Sequence, residues 1–402
     1  MVAIDEQPPH RWTGGQYSLV RVVLAVIVVA WLGDRAWSGW YLFAPMQWVL
    51  SGFAIIGTAM GVAVAIGWHD RWAAVGLAVC AAGSALWDGM GLQALEMTPA
   101  LLPVLHAYVA PAPYGSVRAA GRAQPAGRWR MPRHVQVAAW LLLASVYTVL
   151  WLTTLLLGEW ASTVQPWRLG QPAALQWLGE PWMRVAAWSL AGSWLVFVPL
   201  AIHPRTRPWG WLAVGLVNMV VLPMAGQGLS GAALGALHLF TFDPAWLAPG
   251  APGTRGNRGA GGRRRAPATA DIVFYDGLCG LCHRWVRFIL AEDWTGQQFV
   301  LSPLQGELID RRLTPQQQDA LPDSVVVLTP DDQVLTRSAA VIRLLDRLGG
   351  LWRGASWLLW LVPGPLRDLA YDTLAASRTR LFRKPEGLCP VMPPSLRERF
   401  VL

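Results

Sequence analysis

Long apolar runs separated by short polar stretches fill the first 250 residues. They lie at Leu19 to Leu32 and at about 47–67, 72–90, 92–110, 135–157, 183–201, 208–225 and 229–247. Most are long enough for a helix to cross a hydrocarbon core of about 30 Å. The last is the weakest, because it holds His238 and Asp243. The pattern predicts a polytopic α-helical membrane domain of about eight spans over residues 1–248. No small-residue cleavage site follows the first run, so it reads as a retained span and not as a cleavable signal peptide.

The pattern changes after residue 248. Residues 249–270, "PGAPGTRGNRGAGGRRRAPATA", read as a flexible linker. From 271 to 402 the periods shorten. "DIVFYD" reads as a buried strand, "CHRWVRFILAEDW" as an amphipathic helix and "QFVLSPL" as a second strand. "TPQQQDALP" opens with a helix-cap signal. "DSVVVLTPDDQVLTR" reads as two strands around an Asp-Asp turn, before the helix "SAAVIRLLDRL". The order βαβαββα is that of a small α/β thioredoxin-like domain. The run from Leu351 to Val362 is too short to span; it either packs on this domain or lies at a membrane surface.

Composition agrees with a lipid setting. Apolar residues make up 54% of the 402 and charged residues only 14%, against about 25% charged in a soluble domain. The 25 tryptophans often sit near the ends of apolar runs, as interfacial belts do. The net charge of +9 is nearly all arginine, with Lys384 the only lysine. The arginines cluster in alternate loops: Arg71; Arg118, Arg122, Arg128, Arg130 and Arg133; Arg205 and Arg207; and Arg255, Arg258, Arg263, Arg264 and Arg265. Eight spans put all of these on one side, which the positive-inside rule makes cytoplasmic, together with both termini. The expected location is a bacterial plasma (inner) membrane. The same clustering in loops argues against nucleic-acid binding.

Three of the four cysteines follow residue 270; Cys80, in an apolar run, reads as an inert core thiol. "YDGLCGLCHRW" satisfies two patterns at once, a dithiol C-x-x-C and a haem-attaching C-x-x-C-H. As a dithiol at a strand-to-helix turn, the first sulfur sits over the unsatisfied N–H groups and positive dipole end of a helix, which stabilise a thiolate. Cys279 is then the attacking thiol and Cys282 the resolving one. Asp276 either exchanges a proton with a thiol or caps the helix. Haem attachment would draw on Met392 as an axial ligand. The preceding strand, the D-G turn and the cytoplasmic charge bias oppose it. A Cys₃His zinc set of Cys279, Cys282, His283 and Cys389 is hampered because His283 directly follows Cys282. The expected site therefore holds no cofactor and no metal.

The C-terminal part resembles the DCC family of predicted thiol-disulfide oxidoreductases, named for a D-x-x-C-x-x-C motif, here Asp276, Cys279 and Cys282. "LSPLQG", "PDSVVVL", "TRSAAVIRLLDRLGG", "VPGPLRDLAYDTLAASRTRLF" and "RERF" look like family segments in the same order. Thioredoxin-like sites usually place a cis-proline before the third strand. Here Asp323-Ser324 stand there and Pro322 comes early. Arg337 and Ser338, at the start of the following helix, either face the site or form a surface turn.

The N-terminal part resembles the HTTM group, similar to the membrane part of vitamin K-dependent gamma-carboxylases. The resemblance is carried by "YSLVRVVLAV", "YTVLWLTTLLLGEW" and "GEPWMRVAAWSLAGSWLVFVPLAI". Those enzymes use a lysine base, and residues 1–383 contain none, so carboxylase chemistry is not expected. Among polar residues in the apolar runs, Arg21, Asp88 and Glu96 lie near helix ends and are expected to snorkel. Asn218 is a further polar candidate, while His106 and His238 are the better functional candidates. The expected function is a membrane-bound thiol-disulfide oxidoreductase with protein or small-molecule thiols as substrate. The alternative is a membrane domain that binds or moves a lipid or quinone, with the dithiol domain regulating it.

Overall fold

A computed structural model describes residues 12–38, 44–87, 94–127, 129–156, 180–248, 269–293, 295–322, 324–381 and 394–401. The linker expected at 249–270 falls, but for Thr269 and Ala270, outside the described residues, as do Asp88, Asp323, Cys389 and Met392. The chain forms two compact units. One comprises the described residues of Tyr17–Arg118 and Met131–Phe242; the other those of Met1–Gln16, Ala119–Arg130 and Asp243–Leu402.

The first unit is helical. Its helices are α1 (Gly14–Ser38, which begins in the other unit), α2 (Ala44–Ile66), α3 (Asp70–Trp87), α4 (Ala94–Ala107), α5 (Arg133–Leu156), α6 (Glu180–Ile202), α7 (Arg207–Met224) and α8 (Gly228–Phe240). Each falls on one of the apolar runs. Four stretches, Gly14–Ser38, Gln47–Ile66, Arg133–Leu156 and Arg184–Ile202, are long and apolar enough to cross a membrane. Three of the other four fall short for visible reasons. Helix α4 has only 14 residues and contains Pro99 and Pro103, α8 has 13, and α3 opens on Asp70 and Arg71.

Helix α1 buries Tyr17, Val20, Leu24, Val28 and Trp31, a stripe at three- and four-residue spacing. On α2, Gly57 and Gly61 form a small-x-x-x-small pair that lets helices approach closely. A Cβ on Gly57 would lie 2.3 Å from Leu32 Cδ1, and one on Gly61 2.3 Å from Val29 Cγ2.

The polar candidates Arg21, Glu96, His106, Asn218 and His238 are all buried. Arg21 is 1% exposed and donates to the Gly115 carbonyl at 3.4 Å. Glu96 pairs with Arg35 at 2.9 Å and accepts from Ser230 at 3.0 Å. Snorkelling therefore does not account for either. Arg21 lies two turns inside a helix that starts at Gly14, with the loop ahead of Val117–Ala119 over it, and Glu96 has an internal cation. His106 meets the Tyr17 hydroxyl. His238 bonds to the Trp211 carbonyl at 2.7 Å and to the Tyr147 hydroxyl at 3.2 Å. Asn218 accepts from Trp194 Nε1 at 3.0 Å.

The second unit is built on a four-stranded sheet. Its elements are β1 (Asp271–Tyr275), α9 (Gly280–Glu292), β2 (Phe299–Pro303), α10 (Glu307–Arg312), α11 (Pro315–Asp319), β3 (Val326–Leu328), β4 (Val334–Thr336), α12 (Arg337–Leu348), α13 (Gly350–Leu361), α14 (Gly364–Leu381) and α15 (Pro394–Arg397). The order βαβαββα is realised, with two short helices between β2 and β3. Strand order is β2-β1-β3-β4; β1 pairs parallel with β2, and β3 runs antiparallel to both its neighbours. Thr314 closes a capping box with Gln317 at the start of α11. At the other end of the domain Phe400 bridges to Leu301, with Leu301 N donating to the Arg399 carbonyl at 2.9 Å. Val273, Tyr275, Ile289, Leu301, Val327 and Leu344 form the main core. Asp271, fully buried at the head of β1, is held by Arg343 at 2.8 and 3.0 Å.

Candidate functional site

Strand β1 ends at Tyr275, and the next four residues turn the chain into α9. That turn carries Asp276 and Cys279, and Cys282 follows in the first turn of the helix. Cys279 is the N-cap of α9: its sulfur accepts from the Cys282 backbone N–H at 3.5 Å. The cap role is thus taken by the cysteine and not by Asp276. Asp276 braces the loop instead. Its Oδ1 accepts from Leu278 N at 2.9 Å and from Gln305 Nε2 at 3.1 Å. Gln305 in turn accepts from Gly277 N at 3.2 Å. His283 closes the loop from the helix side, its Nε2 bonded to the Gly277 carbonyl at 2.9 Å.

The two sulfurs are unlike in setting. Cys279 is 8% exposed at the helix start, next in the chain to the exposed Leu278. Cys282 is half-buried and packs on the domain core. Burial pushes the Cys282 thiol up to about 12, reinforced by hydrogen bonding and charge from Cys279. A thiol so placed stays protonated at neutral pH and is a poor first nucleophile.

The loop before β3 lies at the same end of the sheet, because Val326 pairs with Phe274, the residue before Tyr275. Ser324 N donates to the Pro322 carbonyl at 2.7 Å, and no cis peptide occurs among the described residues. The Val325 N–H is taken by the Tyr371 hydroxyl of α14 at 3.0 Å. Arg337, with φ +50°, pairs with Asp372 at 3.2 Å, and Ser338 donates to Asp368. Arg337 and Ser338 are thus bound to α14. Gln305 and Tyr371 were given no role by the sequence, although both sit inside the quoted segments "LSPLQG" and "VPGPLRDLAYDTLAASRTRLF".

His283 Nε2 is turned onto a carbonyl of the loop, which leaves the zinc set without its imidazole on that atom. Cys389 lies outside the described residues. Among the described residues no group of three or more His, Cys, Asp or Glu could hold a metal ion.

Residues 273–384 match the DCC1-like thiol-disulfide oxidoreductase family. The uncharacterized protein YuxK of Bacillus subtilis is 34% identical over 134 residues, 32% of this chain and 93% of the relative. The chain belongs to the DCC1-like family. A chloroplastic DCC family protein of Arabidopsis thaliana is 26% identical over 118 residues, 29% of this chain and 67% of the relative. No solved structure matches the chain significantly. The DCC1-like match spans the site from β1 to α14, so the dithiol loop, Gln305 and Tyr371 all belong to the matched region.

Proposed function

We propose that the protein is a membrane-held thiol-disulfide oxidoreductase whose thioredoxin-like domain works through Cys279 and Cys282. The observation that carries this reading is the position of Cys279 as N-cap of α9, inside the DCC1-like match. Cys279, as thiolate, attacks one sulfur of a disulfide RS–SR. A Cys279–SR bond forms, the S–S bond breaks, and RS⁻ leaves and takes up a proton. Cys282, as thiolate, then attacks Cys279 Sγ. The Cys279–Cys282 bond forms and a second RSH departs, so two electrons and two protons pass from the dithiol to the substrate. Asp276 holds the loop through Leu278 and Gln305, and its charge acts on Cys282. We assign it as the positioning residue and as acceptor of the Cys282 proton.

The apolar helices, resembling the HTTM group, hold this domain at a bacterial inner membrane. The arginine-rich loops support a cytoplasmic dithiol, where thiol-rich surroundings keep it reduced. Full-length protein in detergent, reduced and freed of reductant, is mixed with insulin or a small aromatic disulfide. Wild type reduces one disulfide per chain, and Cys279→Ser reduces none; equal reduction by both ends the proposal. Membrane-impermeant maleimide applied to intact cells tests the side: Cys279 stays unlabelled until the cells are opened.

A second reading is favoured by a cavity of about 600 Å³ between α3 and α4, lined by Val75, Ala78, Met97, Leu101 and Val104, with Arg71 and Tyr108 also lining it. Such a site suits a lipid or quinone tail with its polar head at Arg71. Absence of any co-purifying lipid or quinone, with no thermal shift on adding one, counts against it.

A further inference from the structure

We infer that the hairpin of α13 and α14 enters a lipid surface. From Trp357 to Val362 six successive apolar residues lack cover; Leu358, Trp360 and Leu361 are each 69–70% exposed. Successive residues of a helix step by about 100°, so six in a row face every direction. The end of α13 is therefore an apolar tip and not the apolar stripe of a packed helix. After the turn at Val362 and Pro363, Leu366 and Leu369 continue the uncovered surface on α14. A soluble surface rarely leaves so large a contiguous apolar area without a partner.

The first half of α13 is firmly docked. Trp352 Nε1 donates to Glu292 at 2.5 Å, Leu351 N to Gln16 Oε1 at 3.4 Å, and Arg353 Nη1 to the Ala248 carbonyl at 2.6 Å. Gln16 is the third residue of α1, and Ala248 follows the end of α8 by eight residues. These partners all belong to the same unit as α13, so the first half of the helix is fixed within it while the second half is left uncovered. Six residues rise about 9 Å, the depth of about 5–10 Å to which interfacial helices enter a bilayer.

The charges select the lipid. Arg353 lies 5.6 Å from the Trp357 ring centroid, and Arg367 Nη1 reaches the Leu359 and Trp360 carbonyls at 3.4 Å. Arg353 is also paired with Asp346 at 3.1 Å, so the tip offers anionic headgroups the Arg367 guanidinium, with tryptophans at interfacial depth. The acidic residues of α14 are used inside the domain: Asp368 on Ser338 and Asp372 on Arg337. The inference rests on the membrane-held reading above. It adds that the dithiol domain has its own contact with lipid.

The test uses the full-length chain with its four cysteines changed to serine and one new cysteine carrying a nitrobenzoxadiazole dye. Leu361→Cys and Leu358→Cys report the tip, Val26→Cys reports α1, and Gln316→Cys reports the polar surface of α11. Each is placed in nanodiscs of phosphatidylcholine and phosphatidylglycerol with or without doxyl-labelled lipid. The inference predicts that both tip positions lose at least about half their emission to doxyl lipid, as an embedded residue does, while Gln316→Cys does not. Water-like, unquenched emission at both tip positions with Val26→Cys quenched overturns it. So does blue-shifted emission that doxyl lipid leaves unchanged, which would mean that protein covers the tip. Equal quenching at Gln316→Cys overturns it as well. An unquenched Val26→Cys defeats the membrane reading, and this inference with it.

Discussion

The backbone N–H of Cys282 lies 3.5 Å from the sulfur of Cys279, so the first cysteine caps the helix that carries the second. One contact sets both thiols apart. It puts the Cys279 sulfur at the positive end of α9 and places Cys282 one turn in, against the core.

The pH dependence of alkylation follows. Because burial lifts Cys282 to about 12, its thiolate population grows about tenfold per pH unit throughout the range from 7 to 10. In full-length protein treated with iodoacetamide and read by mass spectrometry, Cys279 is modified first at pH 7. Cys282 gains reactivity steadily with pH and shows no plateau below about 10. The stability linkage has the same sign. A raised folded-state value favours the protonated thiol, so this contribution is complete below the unfolded value and is lost as pH rises through about 12.

Asp276 separates two roles through two substitutions. Asp276→Asn keeps an oxygen for Leu278 N but loses the charge; Asp276→Ala loses both. The Asn variant is expected to retain attack by Cys279 and to slow the resolving step by roughly tenfold to a hundredfold near neutral pH, at the low end of a general-base contribution. The Ala variant slows both steps. Stopped-flow rates of the two thiol releases measure this, and equal behaviour of Asn and wild type at every pH removes the proton role.

Glu292, at the other end of α9, accepts from Gly15 N at 2.9 Å, from Trp352 and from Thr13. Glu292→Ala takes the acceptor from the buried Gly15 N–H, at about 1–3 kcal/mol, and from the half-buried Trp352 Nε1, at less. Denaturant unfolding of the full chain in detergent measures the loss. Burial lifts this carboxyl above the ordinary carboxylate value. The sign is therefore that of a raised acid: its contribution is complete below the unfolded value and lost as pH rises through the folded one. Glu292→Ala removes that pH-dependent part.

Asp271 is fully buried between β1 and Arg343, with Arg347 at 3.7 Å. Arg343→Ala removes both short bonds to the buried carboxylate and leaves it only Arg347 at 3.7 Å, a loss of up to about 3 kcal/mol. Arg343→Lys, unable to bond in a bidentate way, recovers only part of it. The same unfolding measurement reads both.

Much of this architecture is legible because period and burial go together. The runs that become α1 to α8 are mostly apolar along the helices they form, and Thr314 with Gln317 marks α11 directly. Local signals fail where the partner is distant in the chain. Arg21 looks like a residue near a helix end until the loop carrying Gly115 covers it. Glu292 reads as the last polar residue of an amphipathic helix, yet its partner Gly15 is 277 positions away. Asp276 has the residue type of a cap, but the sulfur three residues later takes that place. Nothing local to Tyr371 indicates that its hydroxyl closes on Val325 N.

Cys282→Ser provides the most direct test of the dithiol. Full-length protein is reduced, freed of reductant and exposed to a small disulfide, then digested and examined by mass spectrometry. The account predicts a lasting mixed disulfide on Cys279 in Cys282→Ser, its resolution to a Cys279–Cys282 bond in wild type, and no adduct on Cys282 in Cys279→Ser. An adduct formed as readily on Cys282, or none on Cys279, contradicts it.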